Sequence, residues 1–291
     1  MQQKIYTGQP VITLNNGVDI PALGFGVWQM ENLEECEKAV IKAIEVGYRM
    51  IDTASIYLNE TAVGTAIKNS GVDREKLFIT SKLWVQDIDY DKVKGAFQRT
   101  LDRLQLDYLD MYLIHWPYND YIGAWKAMEE LYHEGKIKAI GVCNFPVEKL
   151  DELIKYSTVK PVINQIELHP IFQQKELQIF NKENNVVTQP WSPLGNGNTE
   201  LLDNPKLKAI AEKYNKTVAQ VILRWHLQEG FCVIPKSVTP SRIEENFNVF
   251  GFELTEEEMN VVRSLDTGKR LFFDPNDPVW EQKMLKAVAD I

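Results

Sequence analysis

Four residues within the first 115 positions have the types and spacing for acid–base chemistry at a buried site. Asp52 ends the apolar run Tyr48-Arg49-Met50-Ile51, Tyr57 follows five residues later, Lys82 ends a run over 77–82, and His115 ends one over 108–115. A charge at the end of a buried strand is costly unless an opposite charge meets it; Asp52 and Lys82 can supply that to each other. The Lys82 ammonium is expected to favour the ionised Tyr57 phenol, lowering a pKa that is ~10 in water and making a better general acid. His115, just before Trp116-Pro117, is placed to hydrogen-bond a substrate carbonyl. The set offers a proton donor and an orienting group but no nucleophile. That suits protonation of an oxygen while a hydride arrives from elsewhere. Taken singly, Asp52–Lys82 reads as a structural ion pair and His115 as a packed core histidine. Their occurrence together at successive strand ends, with a tyrosine beside the aspartate, favours a reactive site. Of the other histidines, His169 is expected to brace a loop near the same rim, and His133 and His226 to be surface or packing residues in helical patterns.

A second cluster lies in Ile234-Pro235-Lys236-Ser237-Val238-Thr239-Pro240-Ser241-Arg242. Lys236 and Ser237 close an apolar run, and Arg242 falls in the first turn of a helix. Two cations, a hydroxyl and a helix N-terminus make a phosphate site, unless they are ordinary capping with solvated charges. The chain carries 32 basic and 41 acidic residues, a net charge of −9, so the cluster stands against the global balance. Between the two clusters, Asn144 and Gln165 can satisfy a carboxamide, and Trp191 offers either a stacking face or plain core packing. A stacked aromatic amide with a distant phosphate describes an extended nicotinamide dinucleotide.

The elements that must position these groups follow a regular rhythm. Apolar runs at 23–27, 48–52, 77–82, 108–115, 139–143, 162–167, 186–191 and 231–235 read as strands, with helical patterns between them. Val93, Phe97, Leu101 and Leu104 mark one helix face. Thr217 with Gln220 and Thr255 with Glu258 read as capping boxes, and Thr239-Pro240 as a helix start. Ahead of these, 11–20 reads as a hairpin around Asn16-Gly17. Eight strand–helix units without a linker predict one α/β domain over 1–291, a (β/α)8 barrel with an N-terminal hairpin, extra helices at 217–229 and beyond 255, and a C-terminal tail. A doubly wound sheet would need a Gly-x-Gly-x-x-Gly turn after its first strand, and Gly24-Phe25-Gly26-Val27-Trp28 lacks the third glycine.

Composition narrows the classes further. An acidic chain repels nucleic acid and gains nothing from anionic membranes, and no apolar run approaches the ~20 residues of a membrane span. The N-terminus is too polar for a signal peptide, and Cys36, Cys143 and Cys232 are isolated, against a disulfide framework or thiolate zinc site. A cytoplasmic protein is expected. The rim presents neither a carboxylate pair nor a His/Asp ligand set, against a hydrolase or metal enzyme.

Three stretches carry a resemblance to the aldo-keto reductases that spans nearly the whole chain to about Asp266. They are Gly47-Tyr48-Arg49-Met50-Ile51-Asp52-Thr53-Ala54 with Tyr57, Asn59, Glu60 and Gly64; Lys138-Ala139-Ile140-Gly141-Val142-Cys143-Asn144-Phe145; and Ile234-Pro235-Lys236-Ser237 with Arg242, Glu245 and Asn246. The resemblance implies a barrel closed at its base by the hairpin, binding NADPH without a Rossmann fold, usually as a monomer. It places the family's catalytic tetrad on Asp52, Tyr57, Lys82 and His115, with Tyr57 as the general acid. It gives the carboxamide to Asn144 and Gln165, the nicotinamide face to Trp191, the pyrophosphate path to Ser192 and Leu194, the 2′-phosphate to Lys236, Ser237 and Arg242, and the adenine to Glu245 and Asn246. Met50, Cys143 and Trp191 depart from the family's commoner histidine, serine and tyrosine. None of these removes a catalytic group.

The implied substrates are small carbonyl compounds (aldehydes, glyoxals, keto-sugars), reduced in a pocket lined by Trp28, Tyr57, Trp84, His115 and Trp116. The rim loops after His115 and Trp191 are short, predicting a shallow, open pocket. The tail, with Leu271-Phe272-Phe273 and Trp280, either folds over that pocket or packs on the barrel flank. A non-catalytic NADPH-binding subunit on the same barrel is the alternative; an intact tetrad argues against it.

Overall fold

The computed structural model describes residues 9–287. It opens with the expected antiparallel hairpin, β1 (Val11–Thr13) and β2 (Asp19–Pro21). A parallel sheet follows in chain order: β3 (Phe25–Gly26), β4 (Met50–Asp52), β5 (Phe78–Leu83), β6 (Leu109–Ile114), β7 (Ile137–Cys143), β8 (Ile163–Glu167) and β9 (Val187–Trp191). Segment 231–235, expected as an eighth strand, is instead an irregular closing piece. Leu23 and Val233 form an isolated parallel bridge. Gly24 N donates to Val233 O at 2.8 Å and Gly26 N to Pro235 O at 3.0 Å, while Cys232 N reaches Thr188 O at 3.3 Å on the other side. Pro235 has no N–H to extend a ladder, and on the β9 side the Cys232 N–H bond is joined by a side-chain contact, Gln189 Nε2 to Cys232 Sγ at 3.2 Å. The circle is closed nonetheless, and the architecture is a (β/α)8 barrel.

Around the sheet run α1 (Leu33–Val46), α2 (Glu60–Asn69), α3 (Tyr90–Leu104), α4 (Tyr121–His133), α5 (Val147–Tyr156) and α6 (Lys175–Glu183). They are followed by α7 (Thr199–Leu202), α8 (Pro205–Tyr214), α9 (Val218–Gln228), α10 (Pro240–Phe247), α11 (Glu256–Arg263) and α12 (Pro278–Lys286). Both expected capping boxes form, at the starts of α9 and α11. Thr239 is the N-cap of α10 with Pro240 after it, but its side chain makes no capping bond. No helix among the described residues is long and apolar enough to cross a membrane.

Strand alternation sorts side chains into two layers. Met50 and Phe78 point into the barrel, where they pack with Met111, Leu113, Ile163 and Ile234. Ile51, Ile79 and Leu83 face outward and join the helices in the larger core. Asp52 shares the parity of Met50, and Lys82 that of Phe78, so both charges are delivered to the interior end of the barrel. The hairpin plugs the opposite end. Leu14 and Ile20 belong to the interior cluster, and the turn asparagines bond later strand starts: Asn15 Nδ2 to Pro161 O at 2.9 Å and Asn185 O at 3.1 Å, Asn16 Nδ2 to Lys138 O at 3.0 Å.

One close approach limits the outer layer. A Cβ on Gly64 in α2 would stand 2.3 Å from the Leu104 carbonyl oxygen at the end of α3. That contact is with backbone and has no flexible tip to move aside. Gly64→Ala is expected to cost about 1–3 kcal/mol through overpacking, read as a lower urea midpoint. An unchanged midpoint would show that α2 and α3 can separate freely.

Candidate active site

Asp52 is the last residue of β4, and Lys82 lies one residue before the end of β5. Lys82 Nζ donates to Asp52 Oδ1 at 2.5 Å and to Thr53 O at 2.8 Å, with its side chain wholly inaccessible to solvent. The second Asp52 oxygen accepts from Gln165 Nε2 at 2.8 Å, and Gln165 Nε2 also donates to Gln189 Oε1 at 2.8 Å. Both carboxylate oxygens are therefore engaged. Gln189, inside β9, is a member of this network that the sequence reading passed over. A glutamine at an inward-facing position of the strand was the available signal.

Tyr57 sits on a 3-10 turn, Ser55–Tyr57, just past β4. Several bonds hold this turn down. Ser55 Oγ donates to Lys82 O at 3.1 Å, and Thr53 Oγ1 to Asn59 Oδ1 at 2.8 Å; Asn59 Nδ2 in turn reaches Val27 O at 2.9 Å. The result places Tyr57 Oη 3.5 Å from Lys82 Nζ, with the ammonium 4.9 Å from the ring centroid. His115 follows β6, its backbone N–H bonded to Leu83 O at 3.1 Å, and its ring meets Tyr57 edge-on at 5.7 Å and Trp84 at 5.1 Å.

The electrostatics correct one expectation. Burial pushes the Tyr57 phenol up to about 12, with Lys82 pulling the other way and Asp52 adding to the rise. Lys82 thus offsets desolvation without overcoming it, and the phenol stays protonated across neutral pH. For Lys82, burial works against the ammonium, but Asp52, Tyr57 and Cys143 together raise it above the ordinary lysine range. Burial, then the Lys82 charge, hold His115 well below the usual histidine range, so its ring is neutral.

Asp52, Tyr57 and His115 open onto one cavity of about 1230 Å³. Lys82 lies beneath it and does not line it. Trp28, Trp84 and Trp116 line it as well. Asn144, Gln165, Trp191, Ser192 and Leu194 also line it. Asn144, in the left-handed region at φ 62°, donates from Nδ2 to His115 O at 3.0 Å and accepts from Trp191 Nε1 at 2.9 Å. Cys143 is buried behind it and does not line the cavity. Lys236, Ser237, Arg242, Glu245 and Asn246 line it too. Lys236 and Arg242 are exposed and have no ion-pair partner among the described residues.

The pocket is not the shallow opening that short rim loops predicted. Phe273, Trp280, Met284 and Ala287 of the C-terminal tail line it. Phe273 and Trp280 stack at 3.5 Å, and Trp84 Nε1 donates to Ala287 O at 2.7 Å. Of the two placements expected for the tail, it takes the one over the pocket. His169 braces a loop as expected, its Nε2 3.1 Å from Glu167 Oε1. His226 is a packing residue, fully buried against Trp225 and Phe231, with Nε2 3.3 Å from Pro193 O.

The buried pair makes a stability prediction. Lys82→Met leaves Asp52 charged in an apolar interior and is expected to lower unfolding free energy by about 3–5 kcal/mol. Adding Asp52→Asn should recover part of that loss in urea melts. A single Lys82→Met as stable as the wild type would mean that the carboxylate does not depend on its partner.

Comparison with known proteins agrees with this geometry. The model of the aldo/keto reductase family matches residues 22–267. The chain is 51% identical over 269 residues to the methylglyoxal reductase DkgA of Escherichia coli K12, covering 91% of this chain and 97% of that one. It is 51% identical over 267 residues to the glyoxal reductase of Bacillus subtilis 168, covering 91% and 96%. Among solved structures, an aldo/keto reductase from Brucella melitensis superposes with a TM-score of 0.86 at 49% identity, covering 89% of this chain and all of that one. A Bombyx mori aldo-keto reductase in complex with NADP gives 0.87 at 36% identity, covering 91% and 95%. The barrel, its rim of polar strand ends and these relatives place the chain in the aldo/keto reductase family, as an oxidoreductase.

Proposed function

We propose that this chain, acting as one catalytic domain, reduces small aldehydes, glyoxals and keto-sugars to alcohols with NADPH, Tyr57 serving as the proton donor. The observation that carries the reading is the Lys82 Nζ–Tyr57 Oη approach of 3.5 Å beneath a cavity that Tyr57 lines together with Lys236 and Arg242. The relatives named for methylglyoxal and glyoxal reduction support the substrate class, and the NADP-bound neighbour supports the cofactor.

The residues present fit a nicotinamide dinucleotide. Both Gln165 Nε2 hydrogens are already donated, to Asp52 and Gln189, which leaves Oε1 to accept from a carboxamide. Asn144 keeps one Nδ2 hydrogen and one lone pair free of its bonds to His115 and Trp191. Trp191 offers its ring face, and Lys236 with Arg242 offers positive charge to a 2′-phosphate. Bound there, the nicotinamide supplies the hydride. The protein does the rest: neutral His115 orients the carbonyl oxygen, Tyr57 gives it a proton, and Lys82 stabilises the phenolate that remains. Asp52 keeps Lys82 charged and in place.

Tyr57→Phe is expected to lower kcat/KM for methylglyoxal by about 10²–10⁴-fold, the usual worth of a positioned acid, with NADPH affinity by fluorescence titration nearly unchanged. Retention of most turnover would remove Tyr57 from the role of acid. Tight NADPH binding by the wild type without turnover of any aldehyde would instead indicate a sensor. Replacing both Lys236 and Arg242 with alanine should weaken NADPH about a hundredfold, from two charge-assisted bonds, and leave NADH little changed. Equal losses for the two cofactors would remove the phosphate from this cluster.

A further inference from the structure

Glu167 is the last residue of β8, yet its carboxylate does not line the cavity. Its side chain is wholly inaccessible. An ionised carboxylate in that position needs its oxygens satisfied, and most of the groups that satisfy it come from the C-terminal tail. Oε1 accepts from Leu271 N at 2.7 Å and Phe272 N at 3.3 Å, as well as facing His169 Nε2 at 3.1 Å. Oε2 faces Arg270 Nη1 at 3.4 Å, and the same guanidinium donates to Phe273 O at 3.2 Å. The far part of the tail is tied by neutral bonds, Tyr118 Oη to Pro275 O at 3.2 Å and Trp84 Nε1 to Ala287 O. Thr267 is bonded to Ile171 O at the start of the tail, and Glu167 fixes the next stretch, 270–272, on its path to the cavity.

The residue placed by that anchor is Phe272. Its ring sits 5.2 Å from Trp191 and 5.8 Å from Trp28, edge-on to both. Trp28 and Trp191 line the cavity, whereas Phe272 stands behind them and does not. We propose that Glu167 is a positioning residue for the substrate site, pinning the tail so that Phe272, backed against Trp191, holds Trp28 as a rigid wall. The proposal rests on the carbonyl-reductase reading above. A wall of this kind matters to a substrate wide enough to reach it. A three-carbon dicarbonyl occupies the floor beside Tyr57 and His115 and is indifferent to it. Mispositioning of the wall costs binding of the wider substrate while the chemistry at Tyr57 proceeds.

The test compares 4-nitrobenzaldehyde with methylglyoxal, NADPH saturating, in the full chain carrying Glu167→Ala, Phe272→Ala or both. Glu167→Ala is expected to raise KM for 4-nitrobenzaldehyde about tenfold, with its kcat and the methylglyoxal KM within about twofold. Phe272→Ala should give the same split, and the double variant should be no worse than Phe272→Ala alone, since the two act through one contact. Equal KM changes for both substrates, or additive losses in the double variant, would overturn the proposal and reduce Glu167 to a brace. If Glu167→Ala does not fold, Phe272→Ala and Glu167→Gln carry the test. The glutamine keeps an acceptor for the two amides and should restore a KM near that of the wild type; a glutamine variant with raised KM for both aldehydes would overturn it. A wild-type protein that reduces neither aldehyde counts against the proposed function. One that reduces both, with no split in the variants, counts against Glu167 alone.

Discussion

The structure turns on one ammonium ion held dry inside a barrel. Lys82 has no access to water and lies above a layer of Met50, Phe78, Met111 and Leu113. Charge in such a place persists only with a close opposite charge and further hydrogen bonds. Asp52 and the Thr53 carbonyl provide these directly, and Gln165 with Gln189 keeps Asp52 from turning away. An apolar pair of similar volume would cost the fold less. The cation is retained where a phenol can lean on it, so this corner gives up stability for a charged group next to Tyr57.

Three separate parts of the chain converge on that corner. Strand parity points Asp52 and Lys82 inward, with Asp52 opposite Thr80, two residues before Lys82. The turn after β4 is bonded to Lys82 O and Val27 O, which fixes Tyr57 above them. The tail then roofs the space with the stacked Phe273–Trp280 pair. Each part buries a different share of the surface around the same few atoms, which is why the low-dielectric setting of His115 and Tyr57 is produced by residues from 25 to 287 and not by any one motif.

Much of this was legible in the sequence because its signals are local. A polar residue closing an apolar run marks a strand end, and Thr217-x-x-Gln220 or Thr255-x-x-Glu258 marks a helix start within four residues. What escaped depends on long separations. The tail is anchored by Glu167, 104 residues from Leu271, so rim-loop lengths alone suggested an open pocket. The direction of the Tyr57 shift is a contest between burial and the Lys82 charge, and only the assembled barrel says that burial wins. Segment 231–235 has the composition of a strand, but its proline and its place at the seam leave it irregular.

The seam and the base plug have a consequence for assembly. The hairpin asparagines find their acceptors 122, 146 and 170 residues further along the chain, at the starts of β7, β8 and β9. Contacts of that span are slow to form, since the loop they close must first be ordered. The hairpin is synthesised long before those partners exist. Its buried face, Leu14 and Ile20, must wait for a nearly complete ring, so the stopper of this barrel is made early and seated late.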